Sequence, residues 1–191
     1  MALLPIDITS YDSFRTDALD RAAQDLGYDV DGAYGYQCWD LAAELWMNIP
    51  EFSGGILYPQ TGPLLYASEC WTVSRDVNAG MSFDLVWHLE DVKRGDCIVI
   101  DSSPVSTTGH IAFADQDYNN SNMMNLLGQN QVNPDPVYGH IPTVTNIDVG
   151  TYFLGAFRYK AWETTPPAPR RRKKGFPWYL VQRRLREMWG V

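Results

Sequence analysis

Residues 28–41 read Tyr-Asp-Val-Asp-Gly-Ala-Tyr-Gly-Tyr-Gln-Cys-Trp-Asp-Leu, an acidic, glycine-rich loop that runs into an apolar segment. The apolar segment predicts a helix from about Cys38 to Met47, which ends before Pro50. Another predicted helix precedes the loop, from Ser10 to Leu26, with Ser10 as its cap and Gly27 after its end. The loop therefore connects two helices near the start of the chain.

Strand candidates follow the helices. Four segments are rich in apolar and β-branched residues, namely 97–101, 110–115, 123–131 and 152–161. Helices come first and strands later, without alternation, and this order is typical of an α+β fold with an antiparallel sheet.

Charge and composition divide the chain unevenly. The chain has 191 residues, 45% of them hydrophobic, which suffices for the core of one domain. Residues 1–163 hold 7 Lys and Arg against 22 Asp and Glu, whereas residues 164–191 hold 8 basic residues and one acid. An acidic body is poorly suited to nucleic acid, whose binding depends on basic charge. No stretch is apolar for long enough to span a membrane, and no signal peptide is expected.

The boundary between the two parts is proline-rich. We predict a domain over 1–163, a stiff linker over 164–169, and a basic amphipathic tail over 170–191. Four large apolar residues recur in the tail at helical spacing: Trp178, Val181, Leu185 and Met188. The tail is expected to contact an anionic surface or a partner, and its alternative role is a solubilising end.

Cys38 is the strongest candidate for a chemical role. A thiol at a helix start is favoured as thiolate by the backbone N–H groups there, although a small buried hydrophobe is the commoner role of a lone cysteine. A thiol nucleophile needs a base, and His110 opens an apolar strand after a flexible loop. His88 is expected to be packed or capping, and His140 to lie at the surface. Asn130 is the candidate to orient His110, or else a turn residue.

The loop before Cys38 also has the spacing of a calcium site. Over residues 29–40 the carboxylates fall at positions 1, 3 and 12, and positions 5 and 7 could offer carbonyls. The predicted ligands are Asp29, Asp31, Ala33, Gly35 and Asp40. The pattern departs from an EF-hand at Tyr34, where glycine is usual, and at Asp40, where a longer glutamate is usual. The alternative is an acidic turn in which Asp40 caps the helix.

These segments together resemble a known family. Residues 28–41 are similar to the active-site segment of CHAP domains, the cysteine/histidine-dependent amidohydrolases and peptidases of phage lysins. Val92–Ile100, Gly109–Phe113 and Leu127–Gln131 resemble the later motifs of that family, in the same order. The resemblance covers about residues 10–160, and its first motif is the most specific.

The resemblance implies a papain-like α+β fold, with N-terminal helices packed on the sheet, and hydrolysis of amide bonds in peptidoglycan. Some phage members carry calcium on an Asp-x-Asp loop at this place. Many members have glutamate where this chain has Gly128. The acidic orienter is thus absent, and Asn130 is expected to serve alone in a Cys-His-Asn site.

The expected function is that of an endolysin or virion-associated lysin acting by covalent catalysis. Cys38 attacks an amide carbonyl, His110 moves the proton, and Gln37 is a candidate oxyanion donor. The protein is expected to be a monomer that acts on bacterial peptidoglycan and holds a structural calcium ion. Its tail, 170–191, is expected to contact an envelope, a membrane or a virion protein. Without a signal peptide, the protein would be made in the infected cytoplasm and reach the wall after release, or be carried in the virion. Two alternatives are a non-catalytic structural or wall-binding phage protein and a membrane-active protein that works through its tail.

Overall fold

A computed structural model describes residues 6–30, 32, 35–49, 66–72, 82–102, 107–131, 134–135 and 137–164. Two helices come first, α1 (Tyr11–Ala22) and α2 (Cys38–Met47). Six strands follow: β1 (Phe83–Val86), β2 (Cys97–Ile100), β3 (His110–Ala114), β4 (Met123–Gly128), β5 (Thr143–Asp148) and β6 (Phe153–Tyr159). A short helix, α3 (Lys160–Thr164), ends the described part.

The strands form one antiparallel sheet in the order β1-β6-β2-β3-β4-β5. Successive residues of a strand face opposite sides, so Cys97 and Val99 join the core under the helices while Ile98 and Ile100 join a second apolar cluster. The central strands β2 and β3 are buried along their whole length. The predicted α+β class with an antiparallel sheet is confirmed.

Helix α1 begins as predicted but ends earlier. The Ser10 hydroxyl accepts a hydrogen bond from the Ser13 N–H (3.1 Å), and Phe14 and Ala18 are buried. The helix stops at Ala22 because Asp25 adopts a positive φ of 58° and the Leu26 N–H turns back to the Arg21 carbonyl (3.2 Å). Asp25, and not Gly27, supplies the left-handed residue that ends the helix.

Helix α2 has the predicted bounds and packs its apolar face into the core. Leu41, Leu45 and Trp46 are almost fully buried there. This packing holds the first turn of α2 against strand β3, where the candidate catalytic residues lie. None of the helices in the described part combines the length and apolar character that a bilayer crossing requires.

Two predictions about chain organisation lie beyond these residues. The linker over 164–169 has only its first residue described, and the tail over 170–191 lies wholly outside the described part. The three-part domain division therefore stays a prediction.

Candidate active site

Cys38 is the first residue of α2 and lies against strand β3. Its thiol is half-buried, while the other two cysteines of the chain, Cys70 and Cys97, are fully buried core residues. The backbone amide of Ile111 faces the thiol. Because Ile111 directly follows His110, the start of α2 lies beside the first residues of β3. The predicted nucleophile is thus next to the backbone of the strand that the predicted base begins.

Burial dominates the charge state of both groups. It raises the pKa of the Cys38 thiol to about 11, with a smaller rise from the nearby Asp40 and an opposing effect of the Ile111 amide. Burial also lowers the pKa of His110 to about 4, although the hydrogen bond with Gln131 acts in the opposite direction and raises this pKa. The helix start was expected to favour the thiolate, but desolvation outweighs it. At neutral pH the free site therefore holds a thiol and a neutral imidazole.

His110 is held by Gln131 and not by Asn130. The Nε2 atom of His110 lies 3.2 Å from the Gln131 Oε1 atom, and both side chains are buried. Asn130, which we predicted to orient His110, bonds Gln37 and Asp135 in this structure. The prediction assumed that strand alternation continues past Gly128, but β4 ends at Gly128 and Asn130 has a positive φ of 52°. The turn directs the two side chains to different neighbours.

Asn130 instead joins two loops beside Cys38. Its Nδ2 group donates to the Gln37 Oε1 atom (2.7 Å) and to the Asp135 carbonyl (3.0 Å), and its Oδ1 atom accepts from the Asp135 N–H (2.8 Å). The Gln37 Nε2 group in turn donates to the Asp135 carbonyl (3.3 Å). The side chain of Gln37, predicted as an oxyanion donor, is therefore fixed next to the nucleophile by Asn130 and Asp135.

Gln129 completes the set by holding the backbone of the loop before Cys38. Its side chain accepts from the Tyr28 N–H (2.6 Å) and donates to the carbonyls of Tyr28 (3.0 Å) and Gln37 (2.8 Å). It is fully buried. Three consecutive residues, 129–131, thus position the nucleophile loop, the Gln37 side chain and His110 in turn. The roles of Gln129 and Gln131 were missed, although both belong to the Gly-Gln-Asn-Gln motif that the sequence singled out.

The predicted calcium loop is described only in part. Asp31 and Ala33 lie outside the described residues, and Asp29 is exposed. Asp40 is 1% exposed, and its two carboxylate oxygens accept hydrogen bonds from the N–H groups of Val30 and Gln37, both at 2.9 Å. The capping alternative for Asp40 is therefore present. Within the described ranges, no three His, Cys, Asp or Glu side chains are grouped to hold a metal.

The remaining two histidines lie at the surface. His140 is exposed, as predicted, and its backbone accepts from the Asn130 N–H (3.2 Å) and donates to the Tyr36 carbonyl (3.0 Å). His88 is also exposed and precedes a 3-10 turn (Leu89–Asp91) as its cap residue, without a capping bond from its side chain. Of the three histidines, only His110 is buried.

Comparison with known proteins supports the architecture. No family model matches the chain, and no curated protein matches it. The crystal structure of a wild-type endolysin, LysIME-EF1, is similar with a TM-score of 0.53 and 19% identity, over 75% of this chain and 63% of that one. The structure of Ly7917 with the hydrolyzing product of MDP has a TM-score of 0.44 and 13% identity, over 76% and 62%, too distant to carry an argument. The chain spans less than two thirds of either protein, and its α+β fold is similar to that of an endolysin.

Proposed function

We propose that this protein is a peptidoglycan hydrolase that cleaves an amide bond by cysteine-dependent covalent catalysis. The observation that carries the proposal is the contact of Cys38, at the start of α2, with the β3 backbone directly after the buried His110. The fold similarity to an endolysin and the resemblance of residues 28–41 to CHAP domains support peptidoglycan as the substrate class. The cysteine chemistry itself is inferred from the CHAP resemblance and from the position of Cys38.

The resting charge state fits a general-base reaction. A neutral His110 can accept the proton of Cys38 as the thiol attacks the substrate carbonyl. The resulting tetrahedral oxyanion forms at the start of α2, where backbone N–H groups and the helix dipole favour negative charge. His110 then gives the proton to the leaving amine, and water hydrolyses the thioester to release the second product and restore the thiol.

Gln37 is proposed as a side-chain donor to the oxyanion. It directly precedes the nucleophile, and Asn130 holds its amide in place. A preorganised donor of this kind typically contributes about 10²–10³ in rate. Its present hydrogen bond to the Asp135 carbonyl is 3.3 Å long, which is weak enough to be exchanged for one to an oxyanion.

Calcium binding is proposed separately, as a structural role. The loop offers carboxylate and carbonyl oxygens at alternating positions, the donors that calcium prefers. Asp29, Asp31 and the carbonyls of Ala33 and Gly35 would hold the ion, and Asp40 would share its oxygens between the ion and the two amides it already caps. The ion would stiffen the loop before Cys38.

Alanine substitution at each of the three cysteines tests the mechanism. Cys38→Ala should abolish release of soluble fragments from purified cell walls while leaving the circular dichroism spectrum unchanged. Cys70→Ala and Cys97→Ala remove buried core thiols, so they should lower the melting temperature but retain hydrolysis. Wall hydrolysis by Cys38→Ala beyond a trace would refute the cysteine mechanism and favour a non-catalytic or membrane-active role.

A further inference from the structure

The Gln131 side chain makes several hydrogen bonds besides its contact with His110. Its Nε2 group donates to the carbonyls of Leu126 (3.0 Å) and Thr143 (2.7 Å) and contacts the Thr143 hydroxyl oxygen (3.2 Å). These three oxygens accept from the nitrogen end of the amide. They therefore settle which end of the Gln131 amide faces His110, namely the oxygen.

The orientation of this amide determines where the histidine carries its proton. An amide oxygen only accepts hydrogen bonds, so the His110 Nε2 atom at 3.2 Å must be the protonated one. In a neutral imidazole the other nitrogen, Nδ1, then has a free lone pair. Both residues are buried, His110 at 2% and Gln131 at 4% exposure, so water does not compete readily for this contact.

Gly128 provides the space for this arrangement. A Cβ atom added at Gly128 would lie 2.6 Å from the Gln131 Oε1 atom and 2.9 Å from the Ala112 Cβ atom. Gly128 is not among the glycines with positive φ, so the backbone itself does not demand glycine here. The absence of a side chain at residue 128 thus leaves room for the Gln131 amide oxygen.

We propose that Gln131 is the positioning residue of this site: it fixes His110 as the Nε2–H tautomer and leaves Nδ1 as the atom that exchanges a proton with Cys38. The proposal rests on the proposed function for its kinetic consequence, but the tautomer itself is a property of the free protein. Gln131 acts through His110 and needs no contact with substrate.

Nitrogen NMR of the imidazole tests the tautomer without any hydrolysis. In full-length Cys38→Ala protein labelled with ¹⁵N-histidine, His110 should show one tautomer, with a protonated Nε2. Gln131→Met keeps the length of the side chain and removes both ends of the amide, so the single-tautomer signature should be lost. Gln116→Met is the matched control, since Gln116 accepts a hydrogen bond from Asn125 of β4, whereas the side-chain partner of His110 is Gln131. An unchanged His110 signature in the Gln131→Met protein overturns the proposal.

Kinetics on a soluble peptidoglycan fragment separate positioning from stability. Gln131→Met should lower kcat by tenfold or more, within the roughly 10²–10⁴ that a general base contributes, and leave KM little changed. Gln131→Glu loses the donors to Leu126 and Thr143, so this variant should be less stable than the wild type. It keeps an acceptor for His110, so it should be more active than Gln131→Met. Equal activity of these two variants contradicts a positioning role.

Gly128→Ala is the second variant, for the case that Gln131→Met does not fold. The added methyl group crowds the Gln131 oxygen, so the His110 signature should change with Gln131 still present; an unchanged signature overturns the proposal. Hydrolysis that is absent in every variant and in the parent refutes the proposed function, while the NMR result still decides the role of Gln131.

Discussion

The buried, neutral His110 should make the stability of the protein depend on acid. Burial lowers the pKa of His110 to about 4, while an unfolded chain has a histidine pKa of about 6.5. As the pH falls below 6.5, the unfolded chain binds a proton that the folded protein does not, so folding stability is lost in that range. At pH 4.5 this difference amounts to about 2.5 kcal/mol relative to pH 8.

Urea unfolding at pH 8 and at pH 4.5 measures this effect. His110→Gln removes the titrating group, so the wild-type protein should lose about 2.5 kcal/mol more than this variant between the two pH values. Carboxylates titrate in both proteins and cancel in the comparison. His88→Gln is the control, because His88 is exposed, and it should behave like the wild type. Equal pH dependence in wild type and His110→Gln would refute the claim that His110 is buried and neutral.

Three further predictions concern the thiol, the loop and the tail. Since the pKa of Cys38 is about 11, its alkylation by iodoacetamide, followed by peptide mapping, should rise about tenfold per pH unit from pH 7 to 10; a plateau below pH 8 would reveal a thiolate–imidazolium pair. Calcium at one hundred times its dissociation constant should stabilise the protein by about 2.7 kcal/mol, and Asp31→Ala should abolish the response; a melting curve indifferent to calcium and to chelator excludes the site. Truncation after Glu163 should weaken binding to whole walls at low salt and leave hydrolysis of a soluble fragment unchanged; equal binding argues against a targeting tail.

The central elements could be predicted because their sequence signals are strong. Helix α2 and strands β2, β3 and β6 carry continuous apolar runs or helical periodicity, and their predicted positions agree with the structure. Strands β1 and β5 were missed for a physical reason. Each lies at an edge of the sheet, and β5 reads Thr-Val-Thr-Asn-Ile-Asp, with only one buried residue. Such a strand is defined by its partner, β4, more than by its own apolar pattern.

The sequence could indicate candidate site residues only where residue type and position in an element were enough. Cys38 and His110 are identified by residue type and by the elements they begin. The partner of His110 could not be read from strand alternation, because the positive φ of Asn130 interrupts it. Only the turn geometry shows that Asn130 reaches Gln37 while Gln131 reaches His110. The complementarity of Gly128 and Gln131 likewise depends on three-dimensional contact.

In the free protein, the two proposed catalytic groups, Cys38 and His110, are both uncharged. Burial opposes both a thiolate at Cys38 and an imidazolium at His110, and the residue that orients His110 is a neutral amide, not a carboxylate. A carboxylate beside His110 would favour the imidazolium before substrate binds. With Gln131 in its place, the proposed mechanism develops charge only as the thiol attacks, and the start of α2 would stabilise the oxyanion. In that mechanism the burial that makes Cys38 a poor thiolate in the free protein would also strengthen the fixed donors around it in the transition state, since they would act in a medium of low polarity.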